Sequence, residues 1–356
     1  MHFADGRVPA AYTSYIGRKT AFVGAVSVSL VLILVVSISL GAANVPLTDV
    51  AKSLLGMEVI KRFDIIVWNI RLPQSLTAVV AGVGLSVAGV TMQSVLRNPL
   101  GAPFTLGITH AAAFGAAFSV MFLGTGAIQS SGAETVSINN PYTTTAVAFL
   151  FCMIATGIII AISRHRGTSS EAMILAGVAI GSLSMAGTMF LQYFADDVQL
   201  AAMVFWTFGD VARASWKELG FMSIVVGLST VYFIFNKWNY NAIDAGDETA
   251  KGIGVNVERV RLLGMLCASL VTAVIVAFLG IIGFVGLVCP HIMRRLVGDD
   301  HRFLIPGACM AGGCLLLAAD TAARLMMRPH ILPVAILTSF LGAPVFLYLI
   351  IAGYRR

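Results

Sequence analysis

The amino-acid sequence predicts an all-α, polytopic membrane protein with about ten transmembrane helices, folded as a single domain over residues 1–356. Two observations carry that prediction. Hydrophobic residues make up 58% of the chain and charged residues only 11%, with a mean hydropathy of +0.89, whereas soluble domains carry about 25% charged residues. The apolar residues also come in runs long enough to cross ~30 Å of hydrocarbon, each bounded by polar punctuation, so that the chain has room for roughly eight to ten crossings.

Residues 1–19 read as a cytoplasmic tail, and the first span lies near 20–43. Arg18 and Lys19 before this span give it the flanks of a signal peptide, but its apolar run exceeds the roughly 7–15 residues of a signal core, so it is expected to stay as a membrane helix. The remaining spans fall near 72–95, 104–123, 143–162, 171–194, 217–236, 261–280, 283–297, 303–324 and 333–352. The eighth is short and contains Pro290, which leaves a backbone carbonyl to be satisfied by protein or by a cavity. Small-residue spacing, as in Gly82 with Ser86 and Gly177 with Gly181, lets helix backbones approach closely, and packing within the chain is the expected use.

Ten spans place both termini on one side, and charge identifies the side. Arg7, Arg18, Lys19, Arg97, Arg164, Arg166, Lys237, Lys251, Arg294, Arg295, Arg302, Arg355 and Arg356 all fall there, which makes it the cytoplasm of a prokaryotic cell membrane. Opposite lie 124–141, charged only at Glu134, and 195–216, where Asp196, Asp197 and Asp210 face a single Arg213. The first outer loop departs from the pattern with Lys52, Lys61, Arg62 and Arg71. The net charge of +6 therefore reports topology and argues against nucleic acid as a partner. Five cysteines sit in apolar stretches with no metal-ligand spacing, so they read as small buried hydrophobes and no metal site is expected.

No GxxxxGK[ST], HExxH or GxSxG occurs, so the chain has no nucleotide site of its own and no recognisable enzyme motif. Uphill transport would need an ion gradient or an ATPase partner. An ion-coupled secondary transporter should carry carboxylates or histidines in mid-span. Asp320 is the clearest such group, but Arg324 stands four residues on along the same face, which predicts an internal ion pair near the outer end. Glu171 and His291 lie near span ends, and His110 reads as a packing residue. One region stands apart in composition: DAGDETAKGIGVNVERVR, residues 244–261, is a charge-dense island within the cytoplasmic segment 237–260 and the start of the next span.

Three stretches, RLPQSLTAVVAGVGLSVAGVTMQSVLRNPLGAPFTLGIT (71–109), LGIIGFVGLVCPHIMRRLVGDDHRFLIPG (279–307), and LLLAADTAARL with LPVAILTSFLGAPVFLYLI (315–350), resemble permeases of the FecCD type. These are membrane subunits of type II ABC importers for iron siderophores, haem, cobalamin and related metal complexes. The resemblance implies a ten-helix permease that pairs with a second copy of itself, two ATPase subunits beneath that bind ATP and Mg, and a substrate-binding protein docking outside. This chain would bind no cofactor. The island resembles the short coupling helices that seat in a groove of the ATPase: Asp244, Asp247, Glu248, Thr249 and Lys251 would form its polar surface, and Gly246, Gly252 and Gly254 its turns.

By motif position, Arg71 and Arg324 match arginines that dock the binding protein through its carboxylates, with Gln74 where the family commonly has another arginine and Asp320 a competing partner for Arg324. Asn98 and Leu100 in RNPLGAP, and Ser169 and Ser170 in GTSSE, resemble the cytoplasmic gate. Met92, Gln93, Met185 and Met189 could line the path, where thioethers suit a surface that passes a bulky complex without gripping it. An iron chelate is the first expectation for cargo, with cobalamin, haem or an oxyanion such as molybdate as alternatives; VNVERVR is expected to flank the seventh span rather than touch the ATPase.

Overall fold

A computed structural model describes residues 9–41, 44–130, 134–138, 141–165, 169–326 and 332–353. Arg7, Arg166, Arg355 and Arg356, with residues 167 and 168 of GTSSE, lie outside the described residues. The chain runs through α1 (Ala10–Ser39), α2 (Leu47–Leu54), α3 (Lys61–Ile65), a π-helical stretch Ile66–Arg71, α4 (Leu72–Val95) and α5 (Ile108–Phe122). After a β-hairpin of β1 (Gly126–Ser130) and β2 (Glu134–Ile138) come α6 (Pro141–His165), α7 (Ser170–Phe194), α8 (Asp197–Thr207), a 3-10 turn Val211–Arg213 and α9 (Trp216–Phe235). The last part comprises α10 (Lys237–Asp244), α11 (Asp247–Gly252), α12 (Val257–Leu279), α13 (Val285–Val297), α14 (His301–Met326) and α15 (Val334–Gly353).

Seven of these helices, counting Lys61–Val95 as one, are long and apolar enough to cross a membrane; α5 and α15 are shorter apolar helices, and the 13-residue α13 completes the ten expected segments. α4, α12 and α14 form the centre. Their small residues make this possible: a Cβ at Gly82 would overlap the carbonyl of Gly312, and one at Gly89 the carbonyl of Gly286, so α4 meets α14 and α13 backbone to backbone. Gly177 and Gly181 likewise face Leu106 and Gly107. The small-residue faces read from the sequence are thus consumed by packing within the chain. The five cysteines are free thiols, buried or half-buried, and among the described residues no group of His, Cys, Asp or Glu is placed to hold a metal.

Several boundaries differ from expectation. α1 begins at Ala10, so half of the expected tail is helix; Lys19 is buried with its ammonium 4.1 Å from the Tyr15 ring and near Phe303, and snorkels past the first turn of α14. The loop with the unexpected positive charges holds α2, α3 and the π-helical stretch, whose amphipathic pattern is too short to show as a span. The third span starts at Ile108, because Pro99, Gly101 and Pro103 keep the preceding segment out of helix.

Candidate functional site

The polar island folds into two short helices at the end of the molecule where α4 finishes and α12 begins. α10 ends at Asp244. Gly246, with φ +122°, then turns the chain in a conformation open to glycine, and α11 starts at Asp247 with Asp247 and Glu248 in its first turn, where acids favour the helix dipole. A second turn at Gly254, φ +89°, leads to Asn256, whose side chain caps α12 by accepting from the Arg259 N–H at 3.0 Å. Gly252 is the last residue of α11 and has no positive φ, so only two of the three glycines make the turns.

What fixes the island is a set of side chains buried behind it. Arg261, only 3% exposed, donates from Nε to the Val95 carbonyl at 2.7 Å and from one terminal nitrogen to both oxygens of Asp247 at 3.0 Å. It therefore joins the end of α4, the start of α11 and the first turn of α12. Arg97, in the left-handed region at φ +47°, approaches the same Asp247 at 3.9 Å. A second knot forms around Asp244. Its Oδ2 lies 3.0 Å from His301 Nε2, 3.3 Å from Ser94 Oγ and 3.7 Å from an Arg294 nitrogen. Arg294 also pairs with Asp299 at 3.0 Å. Asn241 accepts from the His301 N–H at 2.9 Å and donates to Asp300 at 3.2 Å. Burial alone would raise the Asp300 carboxyl, but hydrogen bonds from Arg302 and Asn241 outweigh it and hold the group down at about 2. Between this knot and the loop after α4 lies a polar cavity of ≈ 740 Å³, lined by Arg97, Asn98, Asn241, Asp244, Arg294 and Asp299.

Ser94, His301 and Asp244 do not form a hydrolytic relay. Serine and carboxylate both approach Nε2, at 2.9 and 3.0 Å, whereas a triad needs them on opposite ring nitrogens. The chemistry here is mechanical: two helices outside the bundle are bolted to α4, α12, α13 and α14. Within the island the sequence-predicted residues divide. Asp244 and Asp247 point inward, while Glu248, Thr249, Lys251 and Ile253 are exposed, Glu248 and Lys251 pairing with each other at 3.1 Å. Arg261, expected to flank the span, is instead the island's inner clasp. Ser94, Asn241 and His301 were not singled out from the sequence, and Arg294 only as one of the basic span ends; their signal was position alone, at span ends on the same side as the island.

The loop after α4 is rigid by its own bonds. Asn98 Oδ1 accepts from the Leu100 N–H at 2.9 Å, and the Thr105 hydroxyl lies 2.9 Å from the Leu100 and Ala102 carbonyls, one of which accepts its proton. Leu100 is exposed. Ser169 caps α7, its Oγ accepting from the Ala172 N–H at 3.1 Å, and Ser170 opens the helix. Among the described residues no hydrogen bond joins the Asn98 and Ser169 loops. Met185 and Met189 are exposed one turn apart on α7. Met92 is buried in the core, whereas Gln93, also buried, lines the polar cavity beside Arg294 and donates to the Leu287 carbonyl at 3.4 Å.

The two outer arginines are also placed differently from a docking surface. Arg71 is 4% exposed and donates to the carbonyls of Ile38 and Ser39 at 2.8 and 2.6 Å. Arg324, 7% exposed, donates to Ser37 Oγ at 2.6 Å and pairs through Nε with Asp320 at 3.0 Å. The last carbonyls of α1 have no intrahelical partner, and two guanidinium groups satisfy them where positive charge also favours the helix dipole. Gln74 donates to the other Asp320 oxygen at 2.9 Å, so it completes the internal pair.

Comparison with known proteins agrees with this architecture. Residues 29–352 match the FecCD transport family. An ABC transporter permease protein of Methanocaldococcus jannaschii is 50% identical over 98% of this chain and 99% of its own length. The hemin transport system permease protein of Yersinia pestis is 37% identical, covering 90% of this chain and 93% of the relative. A metal-chelate type ABC transporter solved in an inward-facing conformation superposes with a TM-score of 0.80 at 29% identity, over 94% of this chain and 99% of the other.

Proposed function

Because this chain belongs to the FecCD transport family and is an ABC importer permease, we propose that it forms, with a second copy of itself, the membrane path for an iron chelate handed over by a substrate-binding protein, and that a separate ATPase drives it through the island. The observation that carries the reading is the bolted island. A polar surface outside the lipid, rigidly tied to four central helices, is what a force-transmitting contact between chains requires. Glu248, Thr249, Lys251 and Ile253 are the residues left facing outward to meet the ATPase, and the side they occupy is the cytoplasmic side, as the basic span ends also indicate. ATP and Mg would reside wholly in that partner. The hemin named for one relative and the metal chelate named for the solved structure support a chelate as cargo. A second copy has apolar surface to cover on α7, where Leu183, Met189 and Phe190 are exposed.

The test uses the outward residues, since Asp247 serves the island's own fold. Glu248→Lys combined with Ile253→Asp leaves Arg261 and His301 untouched; the expected result is an ATPase that no longer copurifies and ATP-driven uptake that falls to background in reconstituted vesicles. Undiminished association and uptake would refute the assignment. Binding measured on the cognate binding protein decides the cargo.

A further inference from the structure

Two helices begin part-way along their neighbours rather than level with their ends. Gly286, in the first turn of α13, rests on Leu85 and Gly89 of α4, and Gly89 lies six residues, about 9 Å, before the end of that helix. Gly107, just before α5, rests on Gly177 and Gly181 of α7, which lie about 10–16 Å beyond its start. From this depth α13 runs to the island, where Arg294 meets Asp244, and α5 runs to the β-hairpin at the other end. Their N-termini share a small cavity of ≈ 150 Å³, lined among others by Thr105, Thr109, Phe284, Gly286 and Leu287. Phe104 and Phe284, 6.5 Å apart, separate it from an apolar cavity of ≈ 600 Å³ that also takes in Phe208, Ser339 and Phe340.

Neither helix start has a side-chain cap. Among the described residues the backbone N–H groups of Ile281, Ile282, Gly283, Phe284 and Gly286 donate no hydrogen bond within the protein. Independently, the Thr109 hydroxyl is 1% exposed, has no partner, and belongs to the lining of the same cavity. Such donors are costly in hydrocarbon, so this face of the chain turns to a water-bearing path or to protein, not to lipid. Two helix dipoles present their positive ends there, and the Thr109 hydroxyl adds a further donor. That combination suits a negative oxygen.

We propose that the small cavity is a transit subsite for an anionic oxygen of the cargo, a carboxylate, while the cargo's apolar body occupies the larger cavity beside it. This rests on the permease reading above. The test places the full-length chain in lipid nanodiscs, with Gly and Phe labelled by nitrogen-15, and titrates it with benzoate and, in parallel, with neutral benzamide. The Phe284 and Gly286 amide resonances are expected to shift saturably with benzoate and not with benzamide. Thr109→Val, nearly isosteric, should weaken benzoate binding by about tenfold, and Thr109→Ser should restore it. No benzoate shift, equal shifts with benzamide, or unchanged affinity in Thr109→Val would each overturn the subsite. A chain that fails this titration yet supports ATP-driven uptake loses the subsite and keeps the permease reading; one that passes it but takes up nothing with an ATPase loses the permease reading.

Discussion

Arg261→Ala removes the clasp that holds α11 against the bundle. The side chain contributes a hydrogen bond to the Val95 carbonyl at 2.7 Å and a two-oxygen contact with Asp247 at 3.0 Å, all from a position 3% exposed. Charge-assisted bonds contribute about 1.5–3 kcal/mol each, and loss of one buried partner costs about 3–5 kcal/mol. Asp247 keeps access to water, with a side chain 30% exposed, so the low end applies. An expected loss of ~3 kcal/mol raises local opening of residues 247–252 by roughly 100-fold. Arg261→Lys keeps the charge but cannot reach carbonyl and carboxylate together, and should recover about half of that energy. Hydrogen exchange on the detergent-solubilised chain reads this directly. Exchange in 247–252 that matches the wild type in Arg261→Ala would show that the clasp does not hold the island, and the mechanical argument would fall with it.

Asp300 gives a pH prediction. Its carboxyl is held at about 2, below the unfolded value of about 3.9, so its stabilisation is complete above that unfolded value and is lost as pH falls towards 2. Thermal unfolding should show Asp300→Asn less stable by about 2 kcal/mol at neutral pH, with the gap closing between pH ~4 and ~2. Gly89→Ala should destabilise by more than ~2 kcal/mol through its overlap with the Gly286 carbonyl, whereas Gly157→Ala, with nothing within 4 Å, should be neutral or stabilising by up to ~1 kcal/mol; melting curves of the two separate packing from helix propensity. Spin labels at Ala318 of α14 and Leu266 of α12 should keep their distance between nucleotide-free and ATP-bound complexes, while the distance from Ala318 to Leu183 of α7 changes.

Hydropathy made the spans legible, because an apolar run is recorded residue by residue in the sequence. The island's separation into helices was half legible: Gly246 and Gly254 marked its turns, but nothing local showed that Asp244 and Asp247 turn inward. That depends on Arg261, His301 and Ser94, which come from three other helices. The outer arginines show the same limit. An arginine at a span end is the same letter whether it reaches outward to a carboxylate or backward to helix carbonyls, and the ends of α1 and α4 must be placed together before the choice is visible. The half-depth start of α5 was hidden because PFTLGIT is as apolar as the helix it precedes.

The division between buried and peripheral helices bears on how such an island could act. α4 runs the length of the core: its outer end holds Gln74 against Asp320, its middle meets Gly312 and Gly286 through Gly82 and Gly89, and its inner end presents Ser94 and Val95 to the island. Backbone-to-backbone contacts of this kind have no flexible side chains to absorb sliding, so α4, α13 and α14 shift together or not at all. In the apolar windows of α4, α12 and α14, 78, 67 and 61% of residues are buried, against 28% in each of α6, α7 and α9. A displacement of the island would therefore be carried by this packed centre, and the slack lies where packing is sparse, along the outer helices. One of them, α7, carries Met185, Met189 and Phe190 on exposed faces. Under the coupling proposed above, the boundary between this packed centre and the outer helices is where the chain would yield to a push on the island.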